Sequence, residues 1–407
     1  MKISHPTGLL KGVIQLPTSK SISNRLLVLK HLYCPELEIE GLSKANDTQL
    51  MNSLIESKAD KLNVEDAGTV MRFLLAYMAA SKRDVTLKGT ARMHQRPIGE
   101  LVDALGQIGA EIEFLGNEGY PPVKLSASAL VDADLDMRKV QSSQFVSAML
   151  MILPSFGLNS HIQIDPKMNS YAFVQMTIDV MDMLGLHLRN ENQRISALDR
   201  TEPARTIKVE RDWSSFYYWF AMAVLAKESE LFFPGLKLEG IQTESQWLEV
   251  LTHELIFVEQ NDEGILLQRK PGDIKFNIND IDLKNHPDLA PSFILLFACL
   301  EQECTFTGLE SLDIKESERA KVLHSYLDQL GGSLTLKNGK WILQACDVST
   351  LNDNFFQTHK DHRMAMSLAC LSLIAPINLD DGKVVSKSYP SFWLEMQHLG
   401  FEIDTFA

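Results

Sequence analysis

A chain of 407 residues, 45% hydrophobic and 23% charged, has room for two or three domains at about 150 residues each and for a core of useful size. Its net charge of −14 excludes a protein whose whole surface meets nucleic acid or an anionic membrane. Five cysteines with no CxxC pair exclude a disulfide framework, residues 1–6 lack the apolar stretch of a secretory signal, and no apolar run approaches the ~20 residues of a membrane span, so a cytoplasmic protein is expected.

Along the chain, six polar clusters each run into an apolar segment of helix length. Ser19, Lys20 and Ser21 lead into 26–32, Gly68 and Thr69 into 71–80, and Ser142, Ser143 and Gln144 into 145–153. Ser214 and Ser215 lead into 216–226, Asp288 into 290–300, and Asp361, His362 and Arg363 into 364–374. A helix start leaves backbone N–H groups unpaired and carries partial positive charge, so six such starts suit an anionic ligand. Helix capping by Ser142 or Ser214 is the competing explanation for the hydroxyls. It does not account for the Arg and Lys residues beside them.

A second pattern alternates with these segments. An amphipathic helix whose apolar face is spaced over 97–105 ends near Gly109 and gives way to alternating strands at Ile112, Phe114, Val123 and Leu125. The phrase returns over 173–184 with Gly185, 247–255 with a turn at 261–264, 320–330 with Gly331, and 392–399 with Gly400. A first copy over 48–61 is shortened. Repetition at this scale predicts about six copies of one supersecondary unit, arranged as two similar halves of three.

Several positions carry chemistry by residue type. Residues 16–25 hold one Lys, one Arg and several hydroxyls at a helix start, without the glycines of a phosphate loop. Gly68 permits close backbone approach, and Arg72 follows it. Arg96 precedes Pro97, and Lys315, Glu316 and Arg319 share one short segment. His362 stands between Asp361 and Arg363 with no second His or Cys at ligand spacing, so a packed histidine is expected there and no metal.

Taken jointly, the phrases at 16–25, 67–72, 92–99, 142–144, 287–288, 315–319, 361–366 and 387–390 resemble the enolpyruvyl transferase family, in the family's own order and over nearly the whole chain. The resemblance is strongest to the branch that acts on shikimate 3-phosphate. It implies an α/β (α+β) fold of two domains, each of three βαβαββ units with helices inside, an inside-out α/β barrel. One domain would comprise 1–18 with 211–407 and hold phosphoenolpyruvate; the other, 19–210, would be inserted into it and hold shikimate 3-phosphate, with the active site in the cleft.

The resemblance also implies transfer of the enolpyruvyl group of phosphoenolpyruvate to the 5-hydroxyl of shikimate 3-phosphate, with release of phosphate, on the route to chorismate and aromatic amino acids. By the same resemblance Lys20, Ser21, Arg25, Ser142, Ser143, Gln144, Tyr171, Asp288 and Lys315 would hold shikimate 3-phosphate. Lys20, Gly68, Arg96, Gln144, Arg319, Arg363 and Lys387 would hold phosphoenolpyruvate. Asp288 would be the base on the 5-hydroxyl, Glu316 the proton donor to the methylene, and Lys20 an aid to the departing phosphate. A monomer without metal or organic cofactor is implied. The sister branch acting on UDP-N-acetylglucosamine commonly carries a Cys shortly before its Arg-Pro phrase, and residues 89–97 contain none. Met168, Ser311, Arg211, Trp213 and Phe73 depart from the family pattern and bear on affinity and inhibitor response rather than on the chemistry.

Overall fold

The computed structural model describes residues 1–157, 159–344 and 346–404. The chain divides into two compact units, Thr18–Val209 and the pair of segments Met1–Pro17 with Glu210–Ala407.

In the first unit, strand–helix–strand–helix–hairpin is traced twice in full. Lys61–Asn63, the helix Gly68–Ala80, Val85–Lys88, the helix Gly99–Gln107 and the hairpin Glu111–Phe114 with Val123–Ser126 make one copy. Asp134–Asp136, the helix Ser143–Ile152, His161–Gln163, the helix Tyr171–Met183 and the hairpin Leu188–Glu191 with Arg194–Ala197 make the next. In each sheet the first two strands run parallel and the hairpin closes antiparallel on them. The third copy is incomplete. Helix Lys20–Tyr33, strand Glu38–Glu40 and helix Asn46–Glu56 lead directly into Lys61–Asn63, and only Thr206–Lys208 pairs with Glu38–Glu40, in parallel. The shortened first copy therefore yields a two-stranded sheet.

The second unit carries three complete copies. Leu9–Val13 pairs in parallel with Glu228–Pro234, beside the hairpin Ile256–Asn261 with Gly264–Arg269. Asp280–Asp282 and Cys304–Thr307 pair beside Ser333–Lys337 and Lys340–Gln344. In the last sheet, Asn354–Phe356 and Ile377–Leu379 are joined by Lys2–Ser4 and Glu402–Asp404, so the first strand of the chain completes the final copy. Among the described residues the six sheets are separate and open, and none closes into a barrel.

In each unit, three of the six helices with polar heads form the interior. We label them α1 (Lys20–Tyr33), α2 (Gly68–Ala80), α3 (Ser143–Ile152), α4 (Trp213–Leu225), α5 (Ala290–Cys299) and α6 (His362–Leu368). Every residue of α5 and all but the last of α4 are buried, which requires neighbours on every side. The sheets instead alternate, as in Glu228–Pro234, so one face packs inward and the other meets water. Helices inside and sheets outside follow from those two patterns.

Two predicted helices are shorter than expected. The helix predicted over 247–255 is α-helical only for Trp247–Val250, after a 3-10 turn at Thr243–Gln246. Beyond it the His253 ring nitrogen accepts from the Leu255 N–H at 3.1 Å, a local bond that competes with helix continuation. The run predicted over 364–374 is α-helical to Leu368 and tightens to 3-10 over Ala369–Leu373.

Candidate active site

In the unit Thr18–Val209 most of the expected site residues lie in the first turns of α1, α2 and α3, with Arg96 after a 3-10 turn and Tyr171 at the start of another helix. Ser19 caps α1, its Oγ accepting from the Ile22 N–H at 3.4 Å, and Lys20 places its Nζ 3.1 Å from Asp47. One turn further, Arg25 is only 2% exposed. Its Nε donates to Thr177 Oγ1 at 2.7 Å, its Nη1 to the Ser21 carbonyl at 2.9 Å, and its Nη2 to the Phe173 carbonyl at 2.8 Å and Ser147 Oγ at 3.3 Å. All four acceptors are neutral. Burial pulls this guanidinium down to about 9, so at neutral pH it keeps its charge, with no carboxylate against it among the described residues.

Arg72 and Arg96 converge on Gly68. A Cβ added there would stand 2.5 Å from Arg72 Nη1 and 2.6 Å from Arg96 Nη2, so the glycine makes room for two guanidinium groups. Arg72 donates to the Gly68 carbonyl at 2.9 Å and Arg96 to the Asp66 carbonyl at 3.2 Å, and both side chains are buried. Next to Gly68, Thr69 Oγ1 accepts from Gln144 Nε2 at 3.2 Å, which ties the start of α3 to the start of α2. Ser143 is buried, and Tyr171 opens its helix half-buried, its hydroxyl pKa raised by that burial.

In the other unit Asp288, Lys315, Glu316, Arg319, Arg363 and Lys387 form one linked cluster. Asp288 sits on a single 3-10 turn, Pro287–Leu289, ahead of α5. Its Oδ1 lies 3.0 Å from Arg319 Nη1 and 3.5 Å from Lys315 Nζ, and its Oδ2 lies 2.9 Å from Arg363 Nη2. Glu316 accepts from Arg319 Nη2 at 2.9 Å and faces Lys387 Nζ at 3.9 Å. Arg319, 1% exposed, also donates to both oxygens of Asp361, at 2.7 and 3.2 Å. Asp361 in turn accepts from Ser317 Oγ and from the Arg363 N–H, which caps α6.

Four cations thus interleave with three carboxylates in a network that is buried at Arg319, Asp361 and Lys387 and half-buried at the rest. Burial alone would raise the Asp288 pKa, but Arg363, Lys315 and Arg319 together hold it well below the usual carboxylate range. Burial would likewise lower Arg319, and Asp361, Glu316 and Asp288 instead hold it above its ordinary value. Lys315 is pulled down, first by burial and then by Arg319, against the attraction of Asp288. A phosphate or carboxylate entering here would compete with protein carboxylates for the same Arg forks.

The turn bearing Asp288 is fixed from behind. Trp247 Nε1 donates to His286 Nδ1 at 3.1 Å, which leaves the proton on Nε2 to be donated to Thr243 Oγ1 at 2.8 Å. Burial lowers His286 to about 4, so the ring stays neutral and keeps that tautomer. The sequence marks none of His286, Asp47 and Glu244 as a candidate, although each lies against a candidate residue or the turn that carries one. Asp361 was legible only as part of a motif. The capping explanation for Ser142 and Ser214 does not hold: Ser142 makes no side-chain cap bond, and α4 is capped by Asp212, which accepts from the Ser215 N–H at 2.7 Å. His362 is buried, as a packed histidine should be.

Among the described residues no group of three or more His, Cys, Asp or Glu side chains could hold a metal ion. All five cysteines are buried free thiols. No described helix is long and apolar enough to cross a membrane.

Residues 51–396 match the family model of EPSP synthase (3-phosphoshikimate 1-carboxyvinyltransferase). The chain is 34% identical over 404 residues to a 3-phosphoshikimate 1-carboxyvinyltransferase of Bacteroides fragilis, covering 97% of this chain and 96% of that one. To the enzyme of that name from Methanospirillum hungatei it is 29% identical, covering 94% of each. Its fold matches EPSP synthase from Acinetobacter baumannii with a TM-score of 0.75 at 20% identity, over 99% of this chain and 100% of the other. It also matches the enolpyruvyl transferase NikO from Streptomyces tendae with a TM-score of 0.73 at 14% identity, over 99% and 98%.

Proposed function

The chain belongs to the EPSP synthase (3-phosphoshikimate 1-carboxyvinyltransferase) family, and on that premise we propose that it moves the carboxyvinyl group of phosphoenolpyruvate to the 5-hydroxyl of shikimate 3-phosphate and releases phosphate. The observation that carries this reading is the network in which Asp288 and Glu316 lie among Lys315, Arg319, Arg363 and Lys387. Cations alone would suit an anion binder. Two carboxylates held in different surroundings among them suit a reaction that must both donate and accept a proton.

In the first half-reaction Glu316 gives a proton to the methylene carbon of phosphoenolpyruvate. The 5-hydroxyl oxygen bonds to the neighbouring carbon, and its proton passes to Asp288. In the second, the C–O bond to phosphate breaks, a proton passes from the methyl carbon back to Glu316 to restore the double bond, and the proton taken up by Asp288 leaves with the phosphate. Lys20 supports the departing phosphate. Shikimate 3-phosphate is assigned to Lys20, Ser21, Arg25, Ser142, Ser143, Gln144, Tyr171, Asp288 and Lys315. Phosphoenolpyruvate is assigned to Lys20, Gly68, Arg96, Gln144, Arg319, Arg363 and Lys387.

Arg319 and Arg363 now grip Asp288, whose proton affinity is suppressed as a result. Substrate phosphate and carboxylate oxygens that take over those Arg forks free Asp288 to act as a base. The reading also implies a monomer working in the cytoplasm without a cofactor. The test is phosphate release on mixing the protein with shikimate 3-phosphate and phosphoenolpyruvate, with UDP-N-acetylglucosamine in place of the shikimate as control. Release with the first pair alone is expected. Release only with the UDP-sugar, or tight binding of both substrates without turnover, would overturn the assignment.

A further inference from the structure

We propose that Glu244 is a further positioning residue of this site, whose carboxyl sets, through Arg363, how firmly an incoming anion is held. Glu244 lies on the 3-10 turn Thr243–Gln246 and is 5% exposed. Ser214 Oγ donates to its Oε1 at 3.4 Å, and the Tyr217 hydroxyl donates to its carbonyl at 2.8 Å. The next residue of α4, Tyr218, accepts from Arg363 Nη1 at 3.3 Å. One turn of α4 therefore touches Glu244 on one side and the Asp288-bound arginine on the other. Thr243, adjacent to Glu244, is bonded to His286, two residues before Asp288. Glu244 is thus braced against the elements that carry both members of the Arg363–Asp288 pair, while among the described residues its own side-chain and carbonyl bonds to α4 go to Ser214 and Tyr217, neither of them assigned to a substrate.

The groups around Glu244 give its charge leverage. Asp212 acts on it from the N-cap of α4, Asp288 from the turn before α5 and Arg363 from α6, while Tyr217 of α4 donates to its carbonyl. Burial raises its carboxyl to about 7; its backbone bond opposes this, Asp212 and Asp288 add to it, and Arg363 opposes it. Near neutral pH the group is therefore divided between neutral and ionised forms. When ionised it adds negative charge beside Arg363, as a bound anion does, so the two compete. Binding of an anion draws a proton onto Glu244, and rising pH weakens that binding.

The inference rests on the proposed placement of anions at Arg363, but its test does not need turnover. Inorganic phosphate is titrated calorimetrically into the wild type, Glu244→Gln and Ser214→Ala between pH 6 and 8, in buffers of different ionisation heat. The phosphate's own titration cancels between variants. Wild-type affinity relative to Glu244→Gln is expected to fall at least about fivefold from pH 6 to 8, with proton uptake in the wild type beyond that of Glu244→Gln. Ser214→Ala keeps the carboxyl but removes its donor, so its transition moves to higher pH. A constant affinity ratio with equal proton uptake overturns the proposal, as does absence of phosphate binding to every variant. Active enzyme with a constant ratio refutes Glu244 alone, whereas pH-linked phosphate binding without turnover refutes the reaction and leaves Glu244 standing.

Discussion

Arg25 and Arg319 are buried to nearly the same degree, yet their surroundings are opposite. Arg25 is held by two hydroxyls and two carbonyls, and burial lowers its pKa. Arg319 is held by Asp288, Glu316 and Asp361, which raise its pKa against burial. A neutral shell keeps the charge of Arg25 undiminished for a ligand. A carboxylate shell cancels the charge of Arg319 until a ligand displaces some of it. On the proposed assignment, the first arrangement suits ground-state binding, and the second suits a change of partners as charge moves during reaction.

Removing each arginine is the strongest way to break this contrast. Arg319→Met takes the shared, fully buried cation away from Asp288, Glu316 and Asp361 at once and is expected to cost about 3–5 kcal/mol of folding stability. Arg25→Met leaves only neutral acceptors short of donors, a loss of about 1–3 kcal/mol. Urea unfolding of the two variants measures both. Equal losses, or a larger loss at Arg25, would mean that the two shells do not differ as their chemistry implies.

Turnover sharpens the same contrast at smaller scale. Glu316→Gln keeps the shape and hydrogen-bonding reach of the side chain next to Arg319 but cannot deliver a proton at the same cost. Turnover is expected to fall by at least ~100-fold, about 2.7 kcal/mol, with shikimate 3-phosphate binding nearly unchanged. Single-turnover phosphate release alongside equilibrium binding separates the two. Near-normal turnover would remove Glu316 from proton transfer and leave the carboxylate shell a purely structural role.

The interior helices were legible because an unbroken apolar run such as 216–224 has only one stable place in a protein of this size, the core. The glycine stops were legible too. Gly109, Gly185, Gly331 and Gly400 all adopt positive φ where the sequence ends a helix, a conformation that favours glycine. The weak helix after Trp247 was not, because its fate turns on one local bond at His253. At the site, the cations announced themselves by recurring at helix starts. Asp47, Glu244 and His286 did not, since nothing in a stretch such as Gln242-Thr243-Glu244-Ser245 signals that its carboxylate will be buried. That burial comes from packing against α4, which is a tertiary event.

The finest test concerns two groups outside the contrast itself that support the carboxylate-lined region from behind. His286 is lowered to about 4 by burial, so between that pH and ~6.5 the unfolded chain binds a proton that the folded one refuses, and stability rises with pH. Glu244 is raised to about 7, first by burial, so from ~4.3 up to that pH the folded chain keeps a proton that the unfolded one has lost, and stability falls with pH. Over most of pH 4.5–6.5 the two slopes oppose each other. Glu244→Gln removes only the falling one. Its stability relative to wild type should therefore climb by about 1.4 kcal/mol per pH unit between pH 5 and 6.5, read from urea unfolding of both proteins at each pH. Titrations elsewhere cancel in that difference. A flat difference would mean that Glu244 ionises alike in folded and unfolded chains, and a buried carboxyl braced between Ser214 and the Asp212, Asp288 and Arg363 charges cannot do that.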